Sequence, residues 1–273
     1  MAARARRTSL VVPGSNERML AKARTLDADE VVVDLEDAVA VADKEAARAL
    51  AVEALDAGGF AATTALRVNA RATPWYEDDL RAAAEARPDV VVLPKVESAG
   101  DVAAARDLLP EGIGLEAQIE TARGLVEAER IAAAGHGLEA LVLGPADLAA
   151  SLGIPVLSIG EGTSDYVLAR IAAAARAFGL QPIDGPHARL DDRQGLVASA
   201  ERALAHGYDG KWVIHPSQIE PINRAFTPSA KEIERAERIL AAAHGAARFE
   251  GELVDAVSQR LAEALLSRAA RLS

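Results

Sequence analysis

With 273 residues, of which 50% are hydrophobic and 26% charged, the chain can bury a large core and is too apolar to be disordered. Thirty Lys and Arg against forty-one Asp and Glu leave a net charge of −11, which argues against nucleic acid or an anionic membrane as partner, since either demands a basic surface. The absence of cysteine excludes disulfides, thiolate nucleophiles and cysteine-held zinc or iron–sulfur clusters; with only five scattered histidines, carboxylate oxygens must hold any metal, which favours magnesium or manganese.

Met1 to Arg7 is charged, but the apolar run from Ser9 to Pro13 is too short for a signal peptide, and no stretch approaches the roughly 18 apolar residues of a membrane span. A soluble, cytoplasmic protein is expected. Short branched apolar runs then recur at Leu10–Pro13, Val31–Leu35, Ala65–Val68, Val90–Pro94, Gly114–Ile119, Ala140–Gly144, Gln181–Asp184 and Lys211–His215. Runs of this kind read as parallel strands buried on both faces. Between them lie stretches of good helix formers, among them Asp43–Ala57, Pro74–Ala86, Thr121–Ala134 and Asp192–Ala205. Thr73-Pro74 reads as a cap followed by a first-turn proline, and Ser98 to Asp101 has the capping-box spacing.

Eight strands alternating with helices imply a parallel sheet, either open and doubly wound or closed into a (β/α)8 TIM barrel. Eight repeats between Leu10 and His215 favour closure, and the loop Val12-Pro13-Gly14-Ser15-Asn16 is a poor match to the Gly-rich turn of a dinucleotide fold. Thr227-Pro228-Ser229 opens a further helix to about Ala243, and His244-Gly245 breaks it. The expected organisation is a catalytic barrel over residues 1–243 and a separate C-terminal helical lid segment over residues 244–273.

In such barrels the reactive groups sit at the carboxyl ends of the strands. Here those ends carry Asp34, Glu36 and Asp37; Arg67 and Asn69; Lys95 and Glu97; Glu120; Asp147; Asp184; and His215. Any single carboxylate could be a helix cap, but so many converging on one mouth would repel unless a cation sat among them. Glu120 and Asp147 are the best ligand candidates, because each follows an uninterrupted apolar strand and the two strands are neighbours. Two carboxylates and several waters are what magnesium usually takes from a protein. Arg67 and Lys95 either pair with Asp34, Glu36 or Asp37, or hold a substrate carboxylate or thioester oxygen.

Six segments in order, Leu10-Val11-Val12-Pro13-Gly14, Val33 to Val39, Leu66-Arg67-Val68-Asn69, Leu93 to Ser98, Ile119 to Gly124 and Ile214 to Gln218, resemble the signatures of the citrate lyase β-subunit-like proteins. These belong to the HpcH/HpaI aldolase/citrate lyase family, together with malyl-CoA and citramalyl-CoA lyases. The resemblance implies a TIM barrel that forms a homotrimer or hexamer and uses Mg2+, with Mn2+ possible, to make or break a carbon–carbon bond beside a CoA thioester. It places the metal on Glu120 and Asp147, the substrate on Arg67, Glu120 and the amides of Ala146 and Asp147, and Asp34 and Glu36 behind them with Asp37. Phe249 to Asp255 resembles the lid motif whose aspartate, here Asp255, acts as acid/base, often in a neighbouring subunit's site. Arg18 and Lys22 would meet the CoA phosphates, and Lys22, Lys95 and Arg67 would form a local basic patch in an otherwise acidic protein. The chain departs from the family pattern in having Ala256-Val257 after Asp255, and Asn16 in the first-strand loop, where proline is common.

The implied reaction is retro-Claisen cleavage of a β-hydroxyacyl thioester of the malyl, citramalyl or citryl type to a 2-oxo acid and an acyl-CoA enolate. Arg67 and the metal would stabilise the developing oxyanion and Asp255 would protonate the enolate carbon. The hydroxyl base is left open between Asp37, Glu36 and a water on the metal. The alternatives are the β subunit of a multi-subunit citrate lyase working with an acyl carrier protein, a malyl-CoA thioesterase, and a non-catalytic CoA-binding trimer.

Overall fold

A computed structural model of the chain describes residues 4–155, 163–242, 247–249 and 252–272. The first half runs β1 (Thr8–Pro13), α1 (Glu17–Ala23), β2 (Glu30–Asp34), α2 (Lys44–Asp56), β3 (Thr63–Arg67), α3 (Tyr76–Ala86), β4 (Val90–Leu93) and α4 (Ala99–Leu108). Then follow β5 (Gly114–Ile119), α5 (Ala122–Val126), α6 (Ala128–Ala132), β6 (Leu138–Leu143), α7 (Pro145–Ser151), α8 (Asp165–Ala177), β7 (Gln181–Asp184), α9 (Arg193–Ala205), β8 (Gly210–Val213), α10 (Ile219–Phe226) and α11 (Ala230–Ala242). A short antiparallel pair, β9 (Ala247–Phe249) and β10 (Glu252–Val254), leads into α12 (Ala256–Arg271). Each barrel strand pairs in parallel with the next and β8 returns to β1, so the sheet closes into a (β/α)8 barrel and is not doubly wound.

Two signals behave differently from expectation. Thr73-Pro74 does not start α3, which begins at Tyr76; the Thr73 hydroxyl instead donates to the Ala70 carbonyl at 2.7 Å. The helix expected over 121–134 is broken at Glu127, and Arg170 from α8 donates to the carbonyls of Leu125 and Val126 freed there, both at 2.7 Å. The capping box at Ser98 forms, with Asp101 accepting from the Ser98 N–H at 2.9 Å.

The strands are less uniformly apolar than their runs imply. Alternation sends every second residue inward, and on β5 the inward set is Glu116, Gln118 and, just beyond the strand, Glu120, while Leu115, Ala117 and Ile119 join the apolar layer under the helices. The interior is therefore stratified. Val32, Ala65, Val90, Val92, Ala140, Val142, Ile183 and Trp212 fill its middle as a cluster of their own. Below them, at the amino ends of the strands, Arg6 is enclosed with Glu30, Glu116, Glu139 and Gln181. Above them lie the charged groups of the mouth.

Helix α12 packs on α11, and its last turns reach the lower end of the barrel, where Arg268 stacks over Phe226 and, with Arg271, borders a small cavity beside Arg4, Arg6 and Asp209. The expected boundary at 243–244, the break at His244-Gly245, and Glu250 and Gly251 of the lid motif lie outside the described residues. Among the described residues no helix is long and apolar enough to cross a membrane.

Candidate active site

At the carboxyl ends of the strands a cleft of about 270 Å³ is lined by Asp34, Asp37, Arg67, Gln118, Glu120 and Asp147, with Val11, Ala38, Gly144, Pro145, Ala146, Pro186, Trp212 and Ile214. Arg67 is its centre. The end of β3 aims the guanidinium at Asp34 on the neighbouring strand, and the two form a fork with Nε to Oδ1 at 2.6 Å and Nη2 to Oδ2 at 2.7 Å. Nη1 lies 3.0 Å from Glu36 Oε2, 3.5 Å from Gln118 Oε1 and 3.9 Å from Asp37 Oδ2. Burial alone would lower the pKa of Arg67, but Asp34 and Glu36 outweigh it and hold the charge firmly; reciprocally, Arg67 and two backbone N–H groups hold buried Asp34 below the usual carboxylate range.

Lys95 is the second cation. Its ammonium donates to Glu36 Oε1 at 2.6 Å and stands 3.9 Å from Glu120 Oε1 and 3.8 Å from Asp147 Oδ1. Its backbone has φ +51°, the left-handed region that costs a side-chain-bearing residue about 1 kcal/mol or more. That turn directs the Lys95 N–H onto Glu120 Oε1 at 2.8 Å. Glu120 is 1% exposed, and burial, with Glu36 and Asp147 nearby, pushes its pKa up to about 8. Behind Glu120 there is only Gly144, where an added Cβ would come within 2.5 Å of Glu120 Cβ and overlap its carboxylate.

The sequence therefore names most of this cleft. Asp34, Glu36, Asp37, Arg67, Lys95, Glu120, Ala146 and Asp147 converge. Arg67 and Lys95 pair with Asp34 and Glu36, as the ion-pair reading expects. The excess of acid at the rim is smaller than the strand ends imply, because Asp184 is tied to Lys211 in a buried pair at 2.5 Å; His215 Nδ1 meets the Ser217 hydroxyl at 2.8 Å. Lys22 is exposed on α1 and is not among the residues that line this cleft; Arg67 and Lys95 are themselves enclosed by carboxylates. Asp255 caps its own helix, accepting from Val257 N at 2.9 Å and Ser258 N at 3.1 Å, which lowers its pKa; among the described residues it has no hydrogen bond to the mouth.

Three groups escape a motif reading. Gln118 is signalled only by the alternation of polar residues along β5. Buried Lys44 donates to the Leu35 and Glu36 carbonyls at 2.7 and 2.6 Å, under the ring of Trp75, and so fixes the loop that carries Glu36 and Asp37. Trp212 looks like ordinary core.

A magnesium ion fits this donor set. Among the described residues no three or more His, Asp or Glu side chains are grouped to hold a metal ion, but the pair Glu120 and Asp147 faces the same ammonium, and Glu120 is buried beside like charges, an arrangement a divalent cation would relieve. Two carboxylates with water is the ligand set magnesium prefers.

Residues 7–216 match the family model described as HpcH/HpaI aldolase/citrate lyase, and residues 165–271 match that of C–C bond lyases of the TIM-barrel fold. An L-malyl-CoA/β-methylmalyl-CoA lyase of Cereibacter sphaeroides is 36% identical over 307 aligned positions, covering 99% of this chain and 96% of the relative. A (3S)-malyl-CoA thioesterase of the same species is 40% identical over 264 positions, covering 95% and 90%. Among solved structures, the CitE protein of Mycobacterium tuberculosis in complex with magnesium, acetoacetate and coenzyme A superposes with a TM-score of 0.82 at 36% identity, covering 98% and 99% of the two chains.

Proposed function

The chain belongs to the HpcH/HpaI aldolase/citrate lyase family, and we propose that it is a magnesium-dependent lyase that cleaves a β-hydroxyacyl-CoA thioester to a 2-oxo acid and an acyl-CoA. The observation that carries this reading is the convergence of Glu120, Asp147 and Arg67 on one cleft at the carboxyl end of the barrel. Glu120 and Asp147 would hold the metal, which when bound supplies Lewis-acid stabilisation of charge developing on the substrate's oxygens. Arg67, locked in plane by Asp34, adds a fixed positive charge at the same place without reorganising during the reaction. The Ala146 and Asp147 amides, at the free start of α7, would take the substrate carboxylate.

Asp37 suits the hydroxyl base better than Glu36. Its side chain is 58% exposed and borders the cleft, whereas both Glu36 oxygens face Arg67 or Lys95. Asp37 would take the hydroxyl proton as the carbon–carbon bond breaks; the bond's electron pair passes into the thioester enolate, whose carbon then takes a proton from Asp255. Because Asp255 has no hydrogen bond to its own mouth among the described residues, it would act in a neighbouring subunit of a homotrimer or hexamer. CoA thioesters are intracellular metabolites, so this reading places the enzyme in the cytoplasm.

One observation favours a second reading. The alignment with the lyase runs to more positions than this chain has residues, so that relative carries insertions the chain lacks, whereas the thioesterase aligns at higher identity over a shorter span. The same cleft directing water at the thioester would release free hydroxy acid and CoA.

A product assay on malyl-, citramalyl- and citryl-CoA tests both readings. A 2-oxo acid with acyl-CoA means lyase; hydroxy acid with free CoA means thioesterase. Glu120→Ala and Asp147→Ala are each expected to lower magnesium-dependent turnover by about a hundredfold or more with unchanged circular dichroism. Wild-type rates in both would end the metal assignment.

A further inference from the structure

One buried aromatic at the cleft has no part in the chemistry above. Trp212 comes from β8, is 2% exposed, and belongs to the barrel's own apolar layer with Val32, Val92, Val142 and Ile183. That layer is fully buried and close-packed, so the ring cannot sink to make room. On its other side the Arg67 guanidinium lies 5.2 Å from the ring centroid, and the indole lines the cleft with Val11 and Ile214. Its Nε1–H is buried without a hydrogen-bond acceptor among the described residues, a costly arrangement for a side chain that only fills space. Trp212 is therefore the floor on which the charged mouth rests.

Arg67 and Glu120, at 6% and 1% exposure, are buried charged groups that line the cleft together with Trp212. On the functional reading above, which this inference deepens, the hydroxy-acid end of the substrate lies against them while the bulky CoA end stays at the opening. The substituent on the carbon bearing the hydroxyl then meets Trp212. We infer that Trp212 sets the size limit at that carbon: the indole leaves room for hydrogen and excludes methyl and larger groups. Malyl-type thioesters, whose oxo-acid product is glyoxylate, are accordingly preferred over citramalyl and citryl types.

The chain has two tryptophans, so in a Trp75→Phe protein the emission of Trp212 reports the floor directly. Titration of this protein with glyoxylate in saturating magnesium is expected to change that emission, with pyruvate binding about tenfold more weakly. Trp212→Leu is expected to raise the citramalyl-to-malyl ratio of kcat/KM, and the pyruvate-to-glyoxylate affinity ratio measured by calorimetry, by about tenfold, the scale of one methyl group in an apolar pocket. Trp212→Phe should move both ratios less, and magnesium affinity should stay unchanged in both variants. Ratios that move less than about twofold in both variants overturn the inference, as does calorimetric binding of glyoxylate that leaves the Trp212 emission unmoved. A wild-type protein that cleaves none of the thioesters removes the functional reading instead; the oxo-acid titrations need no turnover and decide the role of Trp212 by themselves.

Discussion

Arg67 can stay charged in an almost sealed position because Asp34 grips it with two short hydrogen bonds, and this division of labour was only half legible in the sequence. The motif put both residues at neighbouring strand ends, but which carboxylate pairs with the arginine and which is left for metal depends on side-chain direction. Asp34 and Arg67 face each other across one parallel register step, whereas Glu120 is turned toward Lys95 and Asp147. Glu116 was invisible as a charged problem, since it sits in mid-strand with no motif around it. Burial and the neighbouring Glu30 push its pKa up to about 8 from an ordinary 4.5, even though Arg6 stands 2.7 Å away. A carboxyl raised in this way favours folding most fully below its ordinary value, and that contribution is lost as pH rises through about 8. The melting temperature is therefore expected to fall between about pH 5 and pH 9, and Glu116→Gln should flatten the fall. An unchanged slope in thermal melts of the variant would show that Glu116 is ionised throughout.

Among the elements, the strands were read to within one or two residues because a strand buried against helices must carry branched apolar residues, whatever its other face does. That other face is where the reading failed. β5 looked apolar from Leu115, Ala117 and Ile119 alone, yet its inward residues form a polar column from the barrel's base to its mouth. The break at Glu127 and the late start of α3 were illegible for a different reason: each depends on a partner distant in sequence or on a turn that competes with the helix. At the end of β6 the close approach of Glu120 leaves no space for a side chain at Gly144. Gly144→Ala is expected to displace the Glu120 carboxylate and weaken magnesium binding by about 10- to 100-fold, measured by calorimetry, while the barrel still folds. Full magnesium affinity in this variant would mean that Glu120 does not need its present position.

For the whole molecule, the net charge of −11 is not concentrated at the mouth. Much of the acid at the mouth is met by Arg67, Lys95 and Lys211, leaving Glu120 and Asp147 as the carboxylates with a cation to gain. The role proposed for Asp255 belongs to an assembly of chains. Co-expression of an Asp255→Asn chain with an Arg67→Ala chain should restore part of the activity that each lacks alone, because a mixed oligomer contains one intact site built from two subunits. Mixed assemblies as inactive as either parent would require Asp255 to act within its own chain or not at all. The chamber at the lower end has a consequence for biosynthesis. Arg6 precedes its partners Glu139 and Gln181 by 133 and 175 residues. Until those arrive, the carboxylates of the barrel's base have no completed enclosure, so the lower chamber is assembled late, by contacts that close long loops of chain. A ribosome pausing before β7 would hold an open sheet of six strands with the charged groups of its base facing water.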